Sequence, residues 1–131
     1  MEDITNQSLI KLDEKSNEPK YLQLVENIKY NIMARKMHAH EKLPSVRSLA
    51  RGLCINPNTV QRAYSQLLNE KLIYSLPGKG AYVTDDTNAV RKLKLERIEG
   101  MIKEATIEAR NYGLWIDDIF RLVDEAYSSN L

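Results

Sequence analysis

The sequence predicts a mainly α-helical fold with one small β-hairpin and a two-helix tail. Three observations carry this expectation. Apolar residues recur at alternating spacings of three and four in five separate stretches, as the buried stripes of helices do. The period shortens after Lys71, where β-branched and aromatic residues flank a turn with two glycines, Gly78 and Gly80. No run of about 18 apolar residues occurs, so the stretches are not membrane-spanning helices.

At 131 residues the chain is one domain, or one small domain with an appendage. Apolar residues at 43% and charged residues at 28% place it among soluble globular chains. It opens Met1-Glu2-Asp3 with neither a basic stretch nor an apolar core, which argues against a secretory signal. The single cysteine, Cys54, excludes an internal disulfide and a multi-cysteine zinc cage, and is consistent with a reducing cytoplasm. The net charge of +1 conceals an uneven distribution. Residues 1–18 carry −3, residues 19–84 carry +7 from ten Lys/Arg against three Glu, and residues 85–131 carry −3. Positive charge gathered in one folded unit is the electrostatic footprint of a polyanionic partner, although a solvated surface clusters charge by chance as well.

Residues 1–18 are polar apart from Leu9, Ile10 and Leu12, and read as a mobile arm with a short strand, closed by Pro19. From Tyr21 the stripe Tyr21, Val25, Ile28 and Ile32, widened by Leu24 and Met33, predicts a helix to about Lys36. Met37 to Leu43 is a loop, because Pro44 disfavours helix at the residue before it. Ser45 caps a short second helix carrying Val46, Leu49, Ala50 and Leu53. Cys54-Ile55-Asn56-Pro57 interrupts it. Asn56 caps a third helix, and Pro57 fits its first turn, where the missing N–H is harmless. Val60, Ala63, Tyr64, Leu67 and Leu68 form the buried stripe of that helix. Its other face is polar, with Asn58, Thr59, Gln61, Arg62, Ser65 and Gln66.

The hairpin strands are expected at Leu72 to Ser75 and Ala81 to Thr84, joined by Leu76-Pro77-Gly78-Lys79-Gly80 with a lysine at its tip. A break at Asp85 to Asn88 precedes a long helix to about Arg110. Its residues Leu95, Ile98, Ile102, Ala105 and Ala109 form the seam of a coiled-coil contact, with Val90, Leu93 and Met101 as a second edge. Gly113 suits a left-handed cap. A last amphipathic helix uses Ile116, Ile119, Phe120, Val123, Ala126 and Tyr127, and Ser128 to Leu131 are expected to fray.

Helix, short helix, tight turn, helix, hairpin is the order of a winged helix-turn-helix. A B-DNA major groove about 12 Å wide admits one helix, and the second helix holds the third proud of the body. The expected organisation is an arm (1–18), a winged helix-turn-helix (19–86) and a two-helix dimerisation domain (87–131).

The stretch from Pro19 to Val83 also resembles the DNA-binding domain of the GntR family of bacterial transcription regulators. Four blocks carry the resemblance in the family's order and spacing: Tyr21-Leu22-Gln23-Leu24, Leu43-Pro44-Ser45-Val46-Arg47-Ser48-Leu49-Ala50, Asn56-Pro57-Asn58-Thr59-Val60-Gln61-Arg62-Ala63-Tyr64, and Gly78-Lys79-Gly80-Ala81-Tyr82-Val83. The tail of about 45 residues is similar to that of the YtrA-like subfamily, whose members carry two short helices in place of a large effector domain. The resemblance implies a homodimer on a near-palindromic operator, usually a repressor, with regulation of neighbouring ABC-transporter genes. The chain departs from the family at Ala39-His40, where Pro-Gly is usual, at Cys54, where glycine is frequent, at Pro57, where many relatives carry arginine, and at Trp115, where a serine-like cap is frequent.

Candidate DNA contacts follow. Arg47 lies outside the apolar stripe of the second helix and matches a DNA-contacting arginine of the family; the alternative is a surface ion pair. Asn58 and Thr59 stand at the start of the third helix, where dipole and free N–H groups favour phosphate, or where they serve only as caps. Gln61 and Arg62 are placed to read base edges or to remain solvated. Ser45 donates to phosphate, caps its helix, or does both. Lys79 at the wing tip is placed to reach a groove or phosphate, or to remain a solvated turn lysine. Tyr64, Tyr74 and Tyr82 read as core-packing residues and not as base-stacking ones, and Cys54 as a small buried residue. His38 and His40 lack a third ligand, so no metal is implied. No glycine-rich phosphate loop or nucleophile–base set implies a cofactor or catalytic residues.

The partners expected are double-stranded DNA and a second copy of the chain, joined through Leu95, Ile98, Ile102, Ala105, Ile119, Phe120 and Val123. A small-molecule effector, if the chain has one, is expected at the dimer or interdomain interface, since the tail is too short to enclose a pocket of the usual ~300–1,000 Å³. The chain is expected in the cytoplasm, off the membrane. A protein-interaction module that does not bind DNA is the rival reading. An enzyme built on Cys54 or His38 ranks below both.

Overall fold

The computed structural model describes residues 6–129. The first five residues of the expected arm, and Asn130 and Leu131 of the expected frayed end, lie outside the described residues. The elements are α1 (Lys20–Met33), α2 (Val46–Leu53), α3 (Pro57–Asn69), β1 (Ile73–Leu76), β2 (Gly80–Val83), α4 (Asn88–Asn111) and α5 (Ile116–Ser129). They divide into two compact units, with the change at Arg91–Lys92 inside α4.

In the first unit α1 and α2 both pack on α3. The core takes Leu24, Val25, Ile28 and Ile32 from α1, Leu49 and Ala50 from α2, and Val60, Ala63, Tyr64 and Leu67 from α3. Leu72, Ile73 and Val83 close it beneath the hairpin. Each large aliphatic side chain buried here contributes about 1.5–3 kcal/mol.

α1 ends at Met33, short of the expected Lys36. Its stop is a left-handed residue, Arg35 at φ 60°, which lets the Lys36 N–H reach the Asn31 carbonyl at 2.9 Å. The same 6→1 closure ends α2 at Cys54 (φ 56°), α3 at Lys71 (φ 61°) and α4 at Gly113 (φ 100°). Only the last uses glycine. Cys54 is therefore exposed, contrary to the buried position expected, because the left-handed cap turns its side chain off the helix and out of the core.

The arm is not a mobile strand. Asn6 and Gln7 are helical and a turn follows. Ile10 is 2% exposed within the core, with Leu9 and Leu12 packed against it. Polar side chains of α1 take up the arm's backbone: Asn31 Nδ2 donates to the Leu9 carbonyl (3.2 Å), and the Lys11 and Asp13 N–H groups donate to Asn27 and Gln23. Three apolar residues and matched hydrogen bonds outweigh the local polarity that suggested mobility.

The loop from Met37 to Leu43 is partly a strand. Lys42 bridges Tyr82, and the N–H groups of His40 and Leu43 donate to the Val83 and Ala81 carbonyls. Met37 is buried at 1% exposure. The hairpin pairs Ile73 with Val83 through Leu76 with Gly80, so both strands reach one residue nearer the tip than expected. Pro77 followed by Gly78 at φ 74°, with Lys79 N–H donating to the Leu76 carbonyl at 2.9 Å, gives the sequence and hydrogen bond of a type II turn.

In the tail, Gly113 closes α4. Trp115 then precedes α5, and its N–H donates to Asp118 Oδ2 at 2.8 Å, half of a capping box that needs no serine. No residue of α5 is buried. No helix among the described residues is long and apolar enough to cross a membrane.

Candidate nucleic-acid interface

The geometry of the middle unit begins with two caps. Ser45 Oγ accepts from the Ser48 N–H at 3.0 Å and starts α2. Asn56 Oδ1 accepts from the Asn58 N–H at 2.8 Å and starts α3, with Pro57 in its first turn. Between them the left-handed Cys54 turns the chain, so one helix ends and the next begins within three residues. The buried Tyr64 hydroxyl donates to the Pro44 carbonyl at 2.6 Å and ties the entry of α2 to the middle of α3.

Three expected contact residues meet in one place. Ser45, Gln61 and Lys79 line a cleft of about 310 Å³ between the start of α2, the face of α3 and the wing. Lys42, Ser75 and Gly80 border it, and so does Leu68, which is 36% exposed and not in the core. Leu68 sits on the edge of the α3 stripe facing the wing, where the short hairpin leaves it half open. The other candidates lie apart from this cleft. Arg47 projects from α2, exposed, and makes no ion pair among the described residues. Asn58 is exposed and Thr59 half-buried on the first turn of α3. Arg62 turns to the opposite flank, its guanidinium 3.7 Å from the centroid of the Tyr21 ring on α1.

Charge in this unit is left open on the cleft side. The carboxylates of Glu26 and Glu70 are held by Lys29 (3.7 and 2.8 Å), and among the described residues no carboxylate borders the cleft. In the wing, Tyr74 and Tyr82 form a cross-strand pair with ring centroids 5.7 Å apart and planes 22° apart. His40 Nδ1 lies 2.7 Å from the Tyr74 hydroxyl and its Nε2 lies 3.5 Å from Asp85. These two tyrosines therefore pack on each other outside the core, whereas Tyr64 is a core residue. Among the described residues no group of three His, Cys, Asp or Glu could hold a metal ion.

Sequence reading missed two side chains that border the interface. Tyr21 reads as one more member of an apolar stripe, and Lys42 as a loop residue. The signal for Lys42 was its place next to the Leu43-Pro44-Ser45 block, which fixes where its backbone runs.

Of the tail residues expected at a dimer contact, Leu95, Ile98, Ile102, Phe120 and Val123 are 39–63% exposed, Ala105 is exposed and Ile119 half-buried. They form apolar stripes that this chain alone leaves open.

A short helix, a three-residue turn, a helix with a polar outer face and a lysine-tipped hairpin define a winged helix-turn-helix of the kind found in DNA-binding transcription regulators. Residues 20–83 match the family described as bacterial regulatory proteins, gntR family. The HTH-type transcriptional repressor YtrA of Bacillus subtilis is 31% identical over 118 residues, which span 89% of this chain and 91% of that protein. A transcriptional regulator from Oenococcus oeni has a similar structure, with a TM-score of 0.73 and 32% identity over 89% of this chain and 98% of that one. The DNA-binding domain of AraR, solved in complex with operator ORE1, matches 56% of this chain and 90% of its own at a TM-score of 0.50 and 28% identity. The chain belongs to the GntR family and is a transcription regulator of the YtrA-like type.

Proposed function

We propose that the chain is a homodimeric repressor that binds a near-palindromic operator upstream of its own operon and of neighbouring ABC-transporter genes in the cytoplasm. The observation that supports this reading is the cation-bearing face built by α2, α3 and the wing, on which no carboxylate among the described residues offsets the lysines of the cleft. The similarity to a repressor and to an operator-bound domain supports it. α3 enters the major groove from its first turn, with Asn58, Thr59 and Gln61 toward base edges and phosphates. Arg47 and Lys79 flank it, and Ser45 adds a phosphate contact beyond its capping role. One such domain covers a half-site. Two copies joined through Leu95, Ile98, Ile102, Ala105, Ile119, Phe120 and Val123 reach both halves, about one duplex turn apart or a small multiple of it. A small-molecule effector acts at the dimer interface, and exposed Trp115 provides the fluorescence that reports it.

Footprinting on DNA upstream of the gene tests the reading, with sedimentation to establish the dimer. Arg47→Ala is expected to weaken specific binding by about 1–3 kcal/mol per half-site. Arg47 has no partner among the described residues to lose, so melting temperature and dimer mass are expected to stay unchanged. Wild-type protein without preference for any upstream fragment over random duplex overturns the proposal.

A further inference from the structure

Lys42 precedes the block that starts α2, and its backbone is held on three sides. It bridges Tyr82 of β2, its neighbour Leu43 donates to the Ala81 carbonyl at 2.8 Å, and its own carbonyl accepts from Asn6 Nδ2 of the arm. The side chain leaves this fixed point across Gly80. A Cβ on Gly80 would come within 3.2 Å of Lys42 Cε, so the lysine stem runs close over the glycine, and a side chain there would move its flexible end by a few tenths of an ångström. Lys42 borders the cleft between wing and α3 together with Ser45, Gln61 and Lys79. The two lysines are the only charged residues on that lining, and Lys42 has no ion pair among the described residues.

A cleft lined by two lysines and, among the described residues, by no carboxylate attracts an anion, and the serine and glutamine beside them add neutral donors. An ammonium on a flexible stem binds a phosphate as a point charge without reading a base. We infer that Lys42 is a phosphate-binding residue of the DNA interface, holding one backbone phosphate in the cleft between the wing and α3. This rests on the operator-binding reading above.

The test compares the full-length wild-type protein with Lys42→Met, which keeps the stem and removes the charge, Lys42→Gln as a second neutral variant, and Lys42→Arg, which restores the charge. Each is titrated with the duplex upstream of its own gene and with random duplex of equal length over a range of salt concentrations. Thermal melts verify the fold. Loss of one phosphate contact lowers the slope of log affinity against log salt by about 0.9 for each bound protomer. At ~0.15 M salt, measured against a ~1 M reference, that slope corresponds to roughly fivefold weaker binding per protomer. The preference for the upstream duplex over the random one is expected to stay, and Lys42→Arg to restore the slope. Neutral variants that keep the wild-type slope overturn the role of Lys42 while leaving the operator reading intact. So do neutral variants that lose sequence preference at constant slope. Wild-type protein that binds neither duplex overturns the operator reading and this inference with it.

Discussion

Replacing Gly52 by alanine is expected to change the sign of its effect with the residue at position 7. Gly52 lies in the last turn of α2, and a Cβ there would overlap Gln7 Nε2 of the arm. Gln7 accepts from Ser48 Oγ at 2.9 Å and donates to the Ser48 carbonyl at 3.4 Å, so displacing it forfeits both bonds. Two such bonds are worth about 1–2 kcal/mol together, the longer one the lesser share. Alanine offsets part of this, because it is favoured over glycine in a helix by roughly 0.5–1 kcal/mol. With Gln7 present, Gly52→Ala is therefore expected to destabilise by up to about 1.5 kcal/mol. In a Gln7→Ala background only the helix term remains, and the same substitution is expected to stabilise by roughly 0.5–1 kcal/mol. Urea denaturation of the four proteins closes the cycle, with an expected coupling of about 1–2 kcal/mol. Additivity within about 0.3–0.5 kcal/mol would show that the arm does not rest on α2 and would refute the reasoning.

Two further outcomes follow from the helix ends. Cys54→Gly is expected to stabilise by about 0.5–1 kcal/mol, since a left-handed L-residue costs about 1–2 kcal/mol and glycine returns part of that as unfolded-chain entropy; chemical denaturation measures it, and a loss of stability would contradict it. Tyr64→Phe removes the donor to the Pro44 carbonyl in a buried setting and is expected to cost about 1–2 kcal/mol. A shift of about 4–8 °C per kcal/mol in a domain of this size makes that visible in a thermal melt.

The parts of the fold legible in the sequence are those whose causes lie within a few residues of one another. Ser45 and Asn56 cap the helices they precede, Pro57 sits in a first turn, and Gly78 and Gly113 occupy positions of positive φ. The parts that were not legible depend on residues far apart in the chain. Ile10 is buried because α1 supplies apolar surface and Asn31 supplies a donor, 21 residues further on. His40 and Lys42 are ordered by β2, which follows them by some 40 residues. Cys54 was misread through its residue type: a small apolar thiol suggests burial, whereas its backbone position at a left-handed cap dictates exposure. At the candidate interface the polar face of α3 could be read as a face, but not how neighbouring elements divide it.

That division bears on how the residues of α3 enter contact. Gln61 and Arg62 are adjacent and both polar, yet successive side chains on a helix stand about 100° apart. Gln61 borders the wing cleft with Lys79, while Arg62 lies on the Tyr21 ring of α1. A cation over an aromatic face at an exposed site is worth about 0.5–1 kcal/mol. On the proposed reading, a bidentate base contact by Arg62 has to exceed that stack before it contributes, and at about 1–3 kcal/mol it does so by a narrower margin than for Arg47, which has no ion pair among the described residues to leave. A phosphate contact that keeps the guanidinium on the ring forfeits nothing. On that reading Tyr21 would bias Arg62 toward the backbone and leave base reading to Gln61 and the first turn of α3.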